Sequence, residues 1–166
     1  HESLAMISRS IFLCLVWLVM YRAALAADRT HDVSIEDYFT VATIAEFAVS
    51  PDGGHVAYCE ARWQQSTDDR KTDLWTVSTG DQPQPRRLTF DRANDRSPKW
   101  SADGKLLYFL ANRQREAEKK PPFDGSTQVW RISVDGGEPL AVTRVEGGVT
   151  GYDLAKDEQL FYSVDT

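Results

Sequence analysis

The chain repeats itself, and the repeat constrains its fold more than any other feature. Ser50 to Tyr58 reads S-P-D-G-G-H-V-A-Y, and Ser101 to Phe109 reads S-A-D-G-K-L-L-Y-F at an offset of 51 residues. A decayed third copy, A-K-D-E-Q-L-F-Y-S, runs from Ala155 to Ser163, 54 residues further on. A second pair of segments keeps the period: Asp73-Leu74-Trp75-Thr76-Val77 matches Gln128-Val129-Trp130-Arg131-Ile132, and Leu88-Thr89 matches Val142-Thr143. Two independent segments recurring in register describe one structural unit used more than once.

The chemistry of the unit is that of β-hairpins. In Ser50-Pro51-Asp52-Gly53 the proline presets φ for the second position of a type I turn, the aspartate bonds nearby backbone amides, and the glycine accepts a positive φ. The flanks are apolar on both faces: Val49, Trp100 and Leu154 before the turns, and Val56-Ala57-Tyr58, Leu107-Tyr108-Phe109 and Phe161-Tyr162-Ser163 after them. That pattern suits strands covered on both sides. Leu74-Trp75-Thr76-Val77 and Val129-Trp130-Arg131-Ile132 form the next strand, and Gly80 or Asp135-Gly136-Gly137 turns the chain toward Arg87-Leu88-Thr89 or Ala141-Val142-Thr143. Four short antiparallel strands in about 50 residues make one blade of a β-propeller. The expected fold is all-β: an incomplete propeller of about two four-stranded blades plus the start of a third, truncated within a strand at Thr166 and preceded by a signal peptide and a short helix. The absence of a W-D dipeptide after Trp75 or Trp130 separates it from the common WD repeat.

The expected organisation has three parts. Residues 1–26 read as a leader and secretory signal: Arg9, the 11-residue apolar run Ile11 to Tyr21, then Arg22-Ala23-Ala24-Leu25-Ala26, with cleavage expected after Ala26. The run is short of the roughly 20 residues that a membrane-spanning helix needs, so no stable anchor is expected after cleavage. Residues 27–46 are a lead-in segment in which Ser34 and Asp37 suggest a helix start, with a helix expected over Ile35 to Val41. Residues 47–166 hold the partial propeller. The polar stretches Gln64 to Lys71 and Arg113 to Ser126 read as solvated connectors, with a short helical turn over Arg113 to Lys120 ended by Pro121-Pro122.

The search for chemistry returns little. No G-x-S-x-G elbow, H-E-x-x-H, paired-cysteine or phosphate-loop motif occurs in the 166 residues, so no catalytic, cofactor-binding or metal-binding residue is assigned. His31 and His55 are isolated, and Asp68-Asp69 sits in a polar loop without a second pair. Cys14 lies in the leader, and Cys59, in an apolar run, reads as a buried thiol. Trp75 and Trp130, recurring once per unit, read as packing elements. The net charge of −6, spread along the chain, speaks against nucleic acid as a partner.

These residues also resemble a family. The S-P-D-G-x-x-V-A-Y unit, D-L-W-x-V followed by R-x-L-T, L-A-N-R at Leu110 to Arg113, D-G-G-E-P at Asp135 to Pro139 and I-E-D-Y-F at Ile35 to Phe39 are similar to the N-terminal propeller of prolyl oligopeptidase-family serine peptidases, of the acylaminoacyl-peptidase and dipeptidyl-peptidase kinds. The resemblance implies a parent enzyme that hydrolyses short peptides outside the cytoplasm, in the periplasm or beyond. Its propeller would gate access to a C-terminal α/β-hydrolase domain that carries the triad and lies outside these residues, so the present stretch would be inactive. The alternative is a TolB-like periplasmic propeller that binds partner proteins. I-E-D-Y-F is the part that alternative does not lead one to expect.

Overall fold

The structure is a computed structural model and describes residues 32–165. The expected signal peptide, His31 and Cys14 lie outside the described residues. The elements below all belong to one unit, Ile35–Thr166.

A six-residue helix, α1 (Ile35–Thr40), carries Glu36 and Asp37 in its first turn, where the helix dipole favours acidic groups. It ends one residue before Val41. Blade 1 follows as an antiparallel sheet of β1 (Ala42–Val49), β2 (His55–Gln64), β3 (Asp69–Ser78) and β4 (Arg86–Arg87), in that spatial order. Blade 2 repeats the arrangement with β5 (Asp95–Trp100), β6 (Leu106–Ala111), β7 (Gln128–Ser133) and β8 (Leu140–Ala141). A hairpin of β9 (Gly151–Leu154) and β10 (Leu160–Ser163) stands where a third blade begins. No helix among the described residues is long and apolar enough to cross a membrane.

The hairpin turns are built as their residues require. Gly53 N–H donates to the Ser50 carbonyl at 2.9 Å, and Gly53 has φ of 71°. The Asp52 carboxylate accepts from the Ser50 hydroxyl at 2.6 Å and from Gly54 N–H at 3.0 Å, while Ser50 Oγ accepts from His55 N–H at 2.9 Å. Ser101, Asp103, Lys105 and Leu106 reproduce the pattern around Gly104, whose φ is 70°. In both turns the serine hydroxyl, then the backbone amide, holds the aspartate below the ordinary carboxylate range. The serines are buried and link the two ends of each turn, a role that reading the turn for proline, aspartate and glycine alone does not reveal.

The third turn keeps only the aspartate. Glu158 takes the left-handed conformation at φ of 65°, and Ala155 N–H reaches the Gln159 carbonyl, whereas Ser50 and Ser101 reach residues five positions on. The loop is one residue shorter. Its register pairs Leu154 with Leu160, where blade 2 pairs Trp100 with Leu107, so Leu160 corresponds to Leu107 and not to Leu106. A one-residue shift exchanges the two faces of a strand. Tyr152, Leu154 and Leu160 therefore turn together toward blade 2, against Tyr108, Leu110, Val129 and Val149.

Each blade thus has a preceding face and a following face. Between the blades, the following face of blade 1 (Ala57, Cys59, Leu74) packs on the preceding face of blade 2 (Leu107, Phe109, Ala111, Trp130, Ile132). Ala57, Cys59, Leu74 and Phe109 are fully buried, and Trp130 is 1% exposed and donates its indole N–H to the Ala111 carbonyl at 3.1 Å. The innermost strands add polar contacts: Trp100 Nε1 donates to the Ala48 carbonyl at 3.0 Å, and Tyr152 OH to the Ser97 carbonyl at 2.7 Å.

The Leu-Thr repeat proves to be a clamp. The strand expected at Arg87-Leu88-Thr89 is only the two-residue β4; beyond it Leu88 N–H donates to the Leu74 carbonyl, and the Thr89 hydroxyl accepts from Leu74 N–H, both at 2.8 Å. Val142 and Thr143 hold Val129 in the same way and at the same distances.

Candidate functional site

The one strongly buried charged constellation among the described residues sits where the two blades meet. Asp95 opens β5 and is 1% exposed. Arg113, just past β6, keeps only 7% of its side chain exposed, because the guanidinium lies over the rings of Trp130 and Phe109 at 5.1 and 5.7 Å. Its Nη1 stands 3.4 Å from Asp91 and its Nη2 3.5 Å from Asp95. These distances are ion-pair distances; Arg113 Nε and Nη2 and Asp95 Oδ1 make no hydrogen bond. Burial pushes the Asp95 carboxyl up to about 7, against the lowering effects of Arg113 and of the Thr89 hydroxyl.

This corrects the helical turn expected over Arg113 to Lys120 and the solvation expected of Arg113, while Gln114 to Lys120 are exposed as expected. Arg113 is pulled inward by the aromatic pair beneath it, and the chain that follows pairs with its own return. Gln114 bridges Asp124, Arg115 N–H donates to the Phe123 carbonyl at 2.9 Å, and the Arg115 guanidinium stacks on the Phe123 ring at 3.6 Å. Backbone groups committed across the loop are not free for a helix.

At the opposite, turn-bearing end of the blades an open cleft of about 710 Å³ is lined by Asp52, His55, Thr76, Arg86, Trp100 and Asp135, among others. Arg86 closes one side by donating to the backbone carbonyls of Val134 and Asp135 in blade 2. His55 lies beside the Trp100 ring, 6.5 Å between centroids. The Thr76 hydroxyl is buried there and has no partner.

The remaining candidates separate cleanly. Cys59 is fully buried, and burial pushes its thiol well up, the reverse of what a nucleophile needs. Asp68 and Asp69 occupy the exposed β2–β3 tip, where Asp69 accepts from the Thr67 hydroxyl at 2.8 Å. Among the described residues no group of three His, Cys, Asp or Glu stands close enough to hold a metal ion. Trp130 packs between the blades. Trp75, its repeat equivalent, is half-buried and stacked on Tyr58 at 6.3 Å, on a face that no described element covers. The geometry thus provides blade-to-blade fastening and an open cleft, without a nucleophile and base in contact.

No family model matches the chain. A dipeptidyl-peptidase 5 from Porphyromonas endodontalis is 32% identical to it over 131 residues, which make up 78% of this chain and 17% of that protein. The chain carries a prolyl oligopeptidase-like propeller region. This propeller region spans less than a fifth of the length of that relative. Among solved structures, the acylaminoacyl peptidase of Pyrococcus horikoshii matches at a TM-score of 0.54 and 14% identity, over 75% of this chain and 18% of that one. A putative TolB from Agrobacterium tumefaciens matches at 0.50 and 21%, over 69% and 35% of the respective chains. At those identities the two structures speak for the propeller fold alone.

Proposed function

We propose that this propeller region belongs to an exported serine-type peptidase that hydrolyses short peptides, and that it filters access to a separate α/β-hydrolase domain. The observation that carries the reading is the 32% identity to a dipeptidyl-peptidase over 131 residues, most of this chain. Export is supported by Arg9, the apolar run Ile11 to Tyr21 and the small residues up to Ala26. The chemistry would be acyl transfer, with a serine activated by histidine and an oxyanion stabilised by backbone N–H groups, all supplied from outside the described residues. Under this reading the blades act as a size filter, and this stretch by itself is inert toward peptides.

The test is to label the whole polypeptide encoded at this locus with a serine-reactive fluorophosphonate and assay it on dipeptidyl and longer peptide substrates. Labelling with turnover of short peptides is expected, and loss of size selection when the exposed stretch Glu116 to Lys120 is shortened would support the filter. A reading frame that ends in further repeats, with no labelling, would instead favour a TolB-like binding module, the reading that the Agrobacterium structure keeps in view.

A further inference from the structure

The cleft at the turn-bearing end lies where the repeat, one blade later, is packed. From the fully buried pair Cys59 and Leu74, the following face of blade 1 continues by strand register to Ala57–Thr76–Arg86 and then to His55–Ser78. At the same repeat positions blade 2 carries Tyr108–Arg131–Leu140 and Leu106–Ser133. There Tyr108 is buried and, with Leu106, packs against Leu154 and Leu160 of the next hairpin. In blade 1 an alanine stands for that tyrosine and a histidine for that leucine, which leaves room for the cleft of about 710 Å³. Both walls belong to four-stranded blades, so the cleft owes nothing to a sheet outside the described residues.

The floor of the cleft holds an unspent polar group. Thr76 is 5% exposed, and its hydroxyl has no hydrogen-bond partner. A buried hydroxyl without a partner costs stability, and a valine of nearly the same shape would avoid that cost. Arg86 lies across the ladder from Thr76, but its guanidinium donates to the Val134 and Asp135 carbonyls of blade 2. The threonine hydroxyl is left for a molecule that enters the cleft.

The lining sets the class of that molecule. Thr76 and Ser78 stand on one strand face with Cα atoms about 7 Å apart, and His55 is opposite Ser78. Hydroxyl and imidazole groups can donate or accept, which matches the hydroxyls of a sugar. The Trp100 indole N–H is spent on the Ala48 carbonyl, so its ring serves as an apolar wall. The carboxylates of Asp52 and Asp135 share the lining with the Arg86 guanidinium, and charges of both signs favour a neutral ligand over an anion or a cation. Extended peptides are held by the free backbone groups of a sheet edge, whereas this cleft is walled by sheet faces, which present side chains. Its volume falls in the range of small-molecule sites, about 300–1,000 Å³.

We propose that the cleft between blades 1 and 2 binds a small neutral sugar of one or two rings, with the Thr76 hydroxyl bonded to a ring hydroxyl and the Trp100 ring against the apolar C–H face. The site stands apart from peptide hydrolysis and does not rest on the peptidase reading.

The whole polypeptide encoded at this locus is titrated with D-glucose, D-galactose, D-mannose, N-acetyl-D-glucosamine, maltose, cellobiose and trehalose, followed by saturation-transfer difference NMR and tryptophan fluorescence. Glycerol, inorganic phosphate and glycylglycine are the non-sugar probes. At least one sugar should bind with a Kd on the order of 0.1–10 mM, and the non-sugar probes at least about 10-fold more weakly. Thr76→Val should weaken sugar binding about 10-fold, while the thermal midpoint of the sugar-free protein stays the same or rises. Should Thr76→Val lose the near-UV circular dichroism spectrum, Ser78→Ala takes its place, with a weakening of at least about 3-fold expected. Absence of binding by every sugar, equal binding of glycerol, phosphate or glycylglycine, or undiminished sugar binding by the folded variant would each overturn the proposal. Sugar binding is read without peptide turnover, so its failure leaves the peptidase reading untouched.

Discussion

Blade 1 and blade 2 carry the same sequence repeat, share a strand order and fold their first turns with the same four hydrogen-bonding roles, yet they settle their interiors differently. Trp130 is enclosed and its indole N–H is bonded; Trp75, at the same repeat position, is half-buried and its indole N–H has no acceptor. At the start of β7, Gln128 is fully buried and bonded at both ends of its amide: Oε1 accepts from Thr143 and Val145 N–H, and Nε2 donates to Ser126 and the Val145 carbonyl. The corresponding residue in blade 1 is Asp73, ion-paired with Arg87 at 2.8 Å and Lys71 at 3.4 Å. The repeat specifies strands and turns, whereas burial and charge depend on which sheet lies alongside.

The largest break of this comparison comes from the tryptophans. Trp130→Ala should cost about 3–5 kcal/mol in urea unfolding, as expected for emptying an enclosed aromatic site. Trp75→Ala, on a face that no described element covers, should cost about 1–2 kcal/mol. Equal costs would mean that the two faces are equally covered.

Next is the charge at the junction. The repeat counterparts of Asp95 are Ile44 and Val149, so the buried carboxylate is peculiar to blade 2. The groups facing Asp95 are Arg113, Asp91, Asp73 and Thr89. Its folded-state pKa of about 7 stands above the ordinary 3.8, so between those values the folded chain binds more protons than the unfolded chain. The stabilisation is fully present below pH 4 or so and is lost as pH rises through about 7, a loss on the order of a few kcal/mol. Thermal melts across pH 4 to 8 should show this slope, and Asp95→Asn should flatten it. Arg113→Met should cost about 3–5 kcal/mol at pH 8, where it strands an ionised Asp95, and clearly less at pH 5.

The threonine clamps are expected to be more alike. Thr89→Val and Thr143→Val each remove the acceptor of a buried strand amide and should cost about 1–3 kcal/mol in denaturant titrations. Thr143→Val also removes one of the two hydrogen bonds that Gln128 Oε1 accepts, and Thr89→Val the one that the Thr89 hydroxyl makes to Asp95, so the two costs should be similar. The smallest effect belongs to the turns: Glu158→Gly relieves a left-handed non-glycine residue and should raise stability by up to about 1 kcal/mol. Gly53→Ala, at the same conformation, should lower it by about 1–2 kcal/mol.

The strands and first two turns were legible in the sequence because they rest on local chemistry, a proline or alanine, an aspartate and a glycine between apolar runs. Cys59 was legible as a buried thiol for the same reason, its apolar neighbours. Arg113 was not, since its burial depends on two rings, Phe109 and Trp130, brought beneath it by pairing of β6 with β7. Nor was the shortened third turn, because Ala155 to Gln159 aligns without a gap and only the hydrogen bond from Ala155 to Gln159 reveals the missing residue. The Leu-Thr pair was visible as a recurrence, but its hydroxyl acquires a meaning only when Leu74 or Val129 lies opposite. The cleft beside His55 was hidden too, being formed by five separate stretches of chain.

The brevity of β4 and β8 has a consequence for what these blades avoid. An outer strand of two residues, ended at once by a threonine that takes up the neighbouring amide, leaves a stray extended peptide almost no ladder to zip onto. The rim of each blade is thereby blunted against amyloid-like growth.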